Sequence, residues 1–209
     1  MSDLELAALL VSRVCHDLVS PVGAVVNGLE VLEEERDAAM RADALKLVAS
    51  SAAQAAARLK FARIAFGAAG SAGAELDLSE VGRTVCALLA GSKVEIAWDV
   101  AAVNWPKDWA KLLMNSALLA SECLPRGGRV RVKTSSDTAA PGFAIRATGA
   151  SARVHEEVGK ALDGEPAGPL DGRSIQPYLT YRLARLLDTR LAVVSSVGAV
   201  DISAGPQSP

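Results

Sequence analysis

Apolar or helix-compatible positions in the first 35 residues recur at steps of three and four: Val11, Val14, Leu18, Pro21, Val25, Gly28 and Leu32, with Val22 and Leu29 beside them. That spacing predicts a helix with one apolar stripe, as in a bundle or coiled coil. Ser2 followed by Glu5 is a capping box and marks where the helix begins. The pattern gives way to the charged stretch EEERDAAMRAD, with Glu33–Glu35 as a solvated helix end. It resumes at Leu45, Val48, Ala52, Ala55, Leu59, Ala62 and Phe66. Gly67 and the run GAAGSAGAE then suit a helix end and a linker. Residues 1–66 thus predict an antiparallel helical hairpin. Two helices alone cannot enclose both stripes. Pairing two hairpins into a homodimeric four-helix bundle buries them, and docking on the rest of the chain is the alternative.

Beyond the linker the period changes. Residues 79–91, 107–124 and 174–188 keep a helical pattern, whereas KVEIAWDV, RVRVKTSS, GFAIRATG, LAVVSSV and AVDISAG alternate as strands. Strands mixed with helices and closing in a hairpin around Gly198 predict an α/β sandwich, one mixed sheet covered by helices. The predicted organisation is α+β: a hairpin over 1–68, a linker over 69–76, an α/β domain over 77–205 and a polar tail over 206–209.

Composition narrows the function. The net charge of −2 argues against a nucleic-acid binder. No unbroken apolar stretch approaches the length that crosses a bilayer, and the N-terminus lacks the basic region of a signal peptide, so a cytoplasmic protein without a membrane partner is expected. Cys15, Cys86 and Cys123 are far apart in apolar surroundings and read as reduced core residues, with no metal site. Trp98, Trp105 and Trp109 read as packing residues, and His155, beside two glutamates, as a solvated surface histidine.

The other of the two histidines is different. With Val11, Val14, Leu18 and Pro21 at the inner heptad positions, His16 falls on the outermost one. Its helical neighbours are Ser12, Arg13, Val19 and Ser20, with Gly23 leaving the surface low and Asn27 continuing the polar strip. A core histidine would face the stripe. A neutral imidazole is a nucleophile at neutral pH and can take a phosphoryl group and pass it on. Arg13 can attract an anionic group, and Asp17 can set the ring tautomer and act in acid–base chemistry. Pro21 lacks an N–H, so the Asp17 carbonyl loses its helical partner and the helix should bend there.

The stretch HDLVSPVGAVVNGLEVL resembles the H-box of the histidine-kinase dimerisation and phosphotransfer domain: His16, an acid at Asp17, a hydroxyl at Ser20 and a proline at Pro21. KLLMNSALLASECLPRGGRVRV resembles the N-box region, with Asn115 at its first asparagine. The metal-binding asparagine, however, is Leu119. In FAIRATGASA, Gly149 matches the first glycine of the adenine-binding motif, but the aspartate is Ala147 and the second glycine is Ser151. SIQPYLTYRLARLL, in the place of the glycine-rich lid, has no glycine. Leucine cannot ligate Mg²⁺, and alanine cannot accept a hydrogen bond from adenine.

The chain therefore resembles the ChpT-type histidine phosphotransferases. The resemblance implies a degenerate histidine-kinase-type (Bergerat-like) second domain, no ATP binding and no cofactor of its own. His16 is then the phosphoacceptor. It would take phosphoryl from the receiver aspartate of a hybrid kinase (CckA-like) and pass it to response-regulator receivers (CtrA- and CpdR-like), with the receiver supplying Mg²⁺. Ser12, Arg13, Ser20, Pro21, Gly23 and Asn27 become supporting or docking residues. A silent dimeric adaptor or kinase inhibitor and an active histidine kinase are the competing readings.

Overall fold

The computed structural model describes residues 1–67, 73–166, 168–172 and 174–205. Residues 69–72 of the predicted linker and the predicted tail, 206–209, lie outside the described residues.

Helix α1 runs over Asp3–Glu34 and α2 over Ala38–Ala65. The capping box forms as expected: Glu5 N donates to Ser2 Oγ at 3.3 Å, and Ser2 N donates to Glu5 Oε2 at 2.7 Å. The charged stretch is mostly helix; the turn itself is short. Glu35 accepts from the backbone N–H groups of Arg36 and Asp37, and the Asp37 carboxylate caps α2 by accepting from Ala39 and Met40. Arg41 reaches back to the carbonyls of Leu32 and Glu35. The helices cross closely at Gly28, where an added Cβ would lie 2.6 Å from Val48 Cγ2.

The predicted stripes divide. Val14, Leu18, Pro21, Val25, Gly28 and Leu32 are at least half-buried, and so are Val48, Ala55, Ala62 and Phe66. Val11, Val22, Leu29, Leu45, Ala52 and Leu59 are exposed in the single chain, while Ala44, Ser51 and Phe61 take inner places. The heptad had merged two adjacent faces, one for each kind of neighbour. The C-terminal half of α2, through Phe61, Ile64 and Ala65, packs into the core of the second domain. Docking on the rest of the chain is thus part of the answer.

The expectation about bilayer-crossing length also needs correction. An 18-residue window of α1 has a mean hydropathy of 1.5, enough by length and composition to cross a membrane. In this fold α1 packs along α2 and is tied sideways by ion pairs, Asp3 to Arg182 and Arg13 to Glu122.

The second domain comprises β1 (Glu75–Asp77), α3 (Leu78–Leu89), β2 (Val94–Asp99), β3 (Asn104–Pro106), α4 (Lys107–Glu122), β4 (Gly128–Thr134), β5 (Phe143–Thr148), α5 (Glu156–Leu162), α6 (Ile175–Leu186), β6 (Ala192–Ser196) and β7 (Ala199–Ala204). The main sheet has the order β2-β4-β5-β7-β6, with β2 and β4 parallel and the other pairs antiparallel. β1, part of which was expected to be linker, pairs instead with β3. The inner face presents Val130, Val132, Ile145, Ala147, Val200 and Ile202 to the helices. The outer face carries cross-strand ion pairs such as Arg129–Glu95 at 2.9 Å. Helix α4 is the centre of the core and is covered almost all round. Gly127 has φ +86°, a conformation that favours glycine, and ends the turn that returns α4 to the sheet. Trp105 is buried as expected, edge-on to Trp109 at 6.2 Å.

Candidate functional site

His16 stands on the outer surface of α1 with 86% of its side chain exposed. Its Nδ1 lies 3.5 Å from Asp17 Oδ1, a long contact at the limit of hydrogen bonding. Nε2 has no hydrogen-bond partner among the described residues. The arrangement leaves the nitrogen remote from Asp17 free to act as a nucleophile.

Asp17 is held more firmly than His16. Arg13 Nε donates to Asp17 Oδ2 at 2.9 Å, an i,i+4 pair on the helix. Arg13 also donates through Nη1 to the Gly172 carbonyl at 2.8 Å and through Nη2 to Glu122 Oε1 at 2.9 Å. Its side chain is only 14% exposed. Arg13 is therefore turned inward, bridging α1 to α4 and to the loop before α6, rather than lying open beside the imidazole. The Asp17 carbonyl accepts from Arg58 Nη1 on α2 at 2.6 Å. This is the carbonyl freed by Pro21, and α1 continues through the proline as unbroken helix.

The charges follow from this crowding. Burial disfavours the Arg13 charge, but the carboxylates of Glu122 and Asp17 outweigh it and raise the guanidinium further. Glu122 shows the opposite balance. Desolvation pushes its carboxyl up, the attraction of Arg13 only partly offsets this, and the Asp17 charge adds to the rise. Solvent still reaches 36% of the Glu122 side chain, because it lines a cleft. That cleft, of about 810 Å³, opens between hairpin and sheet domain and is bordered by His16, Glu122, Arg153, His155 and Glu157. Sequence reasoning placed His155 correctly on the surface but did not place it in the same cleft as His16.

Ser12, Ser20 and Asn27 are exposed on α1 around His16. Gly23 leaves open space where a Cβ would stand, so the surface is low there, as expected. Pro21 is buried against the hairpin interior. Of the cysteines, Cys123 fits the expectation of a core thiol, and burial with the nearby Glu122 pushes it up to about 11. Cys15 does not: it is exposed, next to His16.

Of the positions matching a nucleotide site, two are apolar core and Gly149 and Ser151 are half-buried. Leu119 and Ala147 are 1% and 0% exposed. Neither side chain offers an oxygen or nitrogen to a metal or to adenine. Asn115 is fully buried. Its amide donates to the Ala65 carbonyl at 3.3 Å and to the Lys111 carbonyl at 2.9 Å, and its Oδ1 accepts from Gln176 Nε2 at 3.0 Å. Among the described residues no group of three or more His, Cys, Asp or Glu is placed to hold a metal ion.

A helical hairpin followed by a mixed sheet covered on one face by helices is a fold shared with larger proteins. The full-length ShkA structure, solved in complex with AMPPNP, aligns with 98% of this chain and 46% of its own at a TM-score of 0.50 and 20% identity, a likeness of fold alone. A solved bacterial phosphotransferase matches far better, with a TM-score of 0.89 and 38% identity over 98% of this chain and 97% of that one. The protein phosphotransferase ChpT of Brucella abortus (strain 2308) is 40% identical over 205 residues, 98% of this chain and 97% of that protein. The profile of the family described as histidine phosphotransferase C-terminal domain matches residues 78–197. The chain belongs to the histidine phosphotransferase family, of the ChpT type.

Proposed function

We propose that this chain relays phosphoryl groups between receiver aspartates through His16. The observation that supports this most is the pairing of an exposed imidazole, its Nδ1 turned to Asp17, with a second domain in which apolar core residues Leu119 and Ala147 stand at the metal and adenine positions. His16 Nε2 attacks the phosphorus of a receiver's aspartyl phosphate. An N–P bond forms, and the bond from phosphorus to the aspartate oxygen breaks. The electron pair leaves with the receiver's carboxylate. The ring is cationic while Nδ1 keeps its proton, and Asp17 offsets that charge. A second receiver's carboxylate then attacks the phosphorus, the P–N bond breaks, and its electron pair returns to Nε2, which restores the neutral ring. Mg²⁺ belongs to the receiver, and no ATP-dependent kinase step takes place.

Val11, Val22, Leu29, Leu45 and Leu59 leave an apolar face uncovered on the hairpin. A second copy covers it, giving a homodimeric four-helix bundle in the cytoplasm. By family resemblance the donor is a hybrid histidine kinase receiver of the CckA kind, and the acceptors are regulators of the CtrA and CpdR kind. The exposed Ser12, Ser20 and Asn27, with half-buried Gly23 keeping the surface low, give the receiver its landing surface.

The test is a relay assay with radiolabelled receiver. Label passes through the wild type to a second receiver and stops at the first with His16→Ala. Normal relay by His16→Ala, or labelling of the chain by ATP alone, would overturn the proposal. Receiver binding without label transfer would favour the adaptor reading.

A further inference from the structure

In an uninterrupted α-helix the carbonyl of residue 17 accepts from the N–H of residue 21. Pro21 has no N–H. The carbonyl it deprives belongs to Asp17, whose side chain is the one facing His16. A partly covered carbonyl left without a donor is costly. Arg58 fills the gap from the other helix, at 2.6 Å across a sequence separation of 41 residues. Arg58 stands one turn before Phe61 and about two turns before Ile64 and Ala65, which are anchored in the core, so its backbone is held in place.

We infer that Arg58 is a positioning residue for His16: from α2 it supplies the donor that Pro21 withholds, and so fixes the turn of α1 that presents the imidazole. This rests on the relay reading above. Asp17 is then gripped at both polar ends. Arg58 holds its backbone, and Arg13 holds Oδ2. What remains, Oδ1, is the atom turned to His16 Nδ1. Without Arg58 the turn over residues 17–20 admits water or frays, Asp17 shifts, and Nδ1 loses its bias. The ring then divides between tautomers, and Nε2 is the free nucleophile in only one of them.

The proline makes the idea testable by rescue. Alanine at position 21 restores a backbone N–H to the Asp17 carbonyl and removes the need for Arg58. Alanine at position 58 is also a good helix former, so the hairpin keeps its propensity. Four full-length proteins are compared: wild type, Arg58→Ala, Pro21→Ala and the double variant. Two readouts are taken: the rate of phosphoryl transfer from a saturating labelled receiver, and the ¹⁵N spectrum of the His16 ring.

Arg58→Ala is expected to transfer about tenfold more slowly, with a more mixed tautomer, as befits loss of a partly covered carbonyl's partner. The double variant is expected to match Pro21→Ala within about threefold and to recover the single tautomer. Arg58→Lys, which keeps one donor, falls between. Slowing that simply multiplies in the double variant, or a ring spectrum unchanged by Arg58→Ala, overturns the inference. Absence of label on wild-type His16 instead sinks the relay reading, and the ring spectra still decide the role of Arg58.

Discussion

Arg13→Gln removes the cation that joins two carboxylates and a carbonyl across the two halves of the molecule. Wild-type Arg13 makes charge-assisted bonds to Asp17 and Glu122 and a third bond to Gly172. Bonds to charged groups contribute about 1.5–3 kcal/mol each when buried. Here Asp17 and Glu122 are 30% and 36% exposed, so solvent screens part of each. Halving both and leaving Asp17 and Glu122 without their cation gives a loss of about 2–3 kcal/mol at pH 7. For a chain of this size that is about 4–12 °C in Tm.

The assay is urea unfolding at fixed protein concentration, followed by fluorescence of Trp98, Trp105 and Trp109, all in the second domain. The pH dependence carries the sharper test. The Glu122 carboxyl is already pushed up in the fold. A raised acid favours the folded state while protonated, so its contribution is present below the ordinary carboxylate range and is lost as pH rises through its folded value. In Arg13→Gln the attraction opposing that rise is gone. The difference from wild type therefore shrinks on acidification from pH 7 to pH 5. Glu122→Gln, which keeps an acceptor for Arg13 without a charge, stays within about 1 kcal/mol of wild type and flattens the same window. A loss under about 0.5 kcal/mol, the scale of an ordinary surface change, or one independent of pH would refute the reasoning.

Three further outcomes are expected. Gly28→Ala gains about 1 kcal/mol of helix propensity but drives a Cβ to 2.6 Å from Val48 Cγ2. A net destabilisation of about 1 kcal/mol, relieved by Val48→Ala, follows from the greater cost of overpacking and is measured by thermal melts. Leu59→Glu places a charge on the uncovered apolar face without touching the core. Sedimentation is expected to show a monomer with unchanged far-ultraviolet dichroism. Thiol titration of the native protein is expected to modify Cys15 first and to leave Cys123, buried and pushed up to about 11, until unfolding.

Long-period features were legible in the sequence. The capping box, both hairpin helices and the five strands of the main sheet stand where alternation and spacing put them. So does the outward direction of His16, because a heptad fixes angle as well as period. What the heptad could not fix was which neighbour each face meets: Val11, Leu45 and Leu59 stand uncovered in the single chain, beside residues covered within it. β1, β3 and α5 span three, three and seven residues, too short for a period to show. Arg13 looked like an open cation because its partners, Glu122 and Gly172, lie 109 and 159 residues away. Arg58 was within reach of reasoning: once Pro21 strands a carbonyl, α2 must offer a long donor, and it has few.

Asn115 ties α4 to the last turn of α2, Gln176 ties α6 to the same asparagine, and Arg13 closes a third bridge near the histidine. A protein that carries a nucleotide to its histidine needs a stroke, one body swinging against the other. Bodies joined through a buried asparagine and a half-buried arginine have little stroke left. A visiting partner then finds its landing surface already assembled, and the encounter orders few protein groups. In the relay proposed above, such a platform favours quick, frequent visits over lasting embrace.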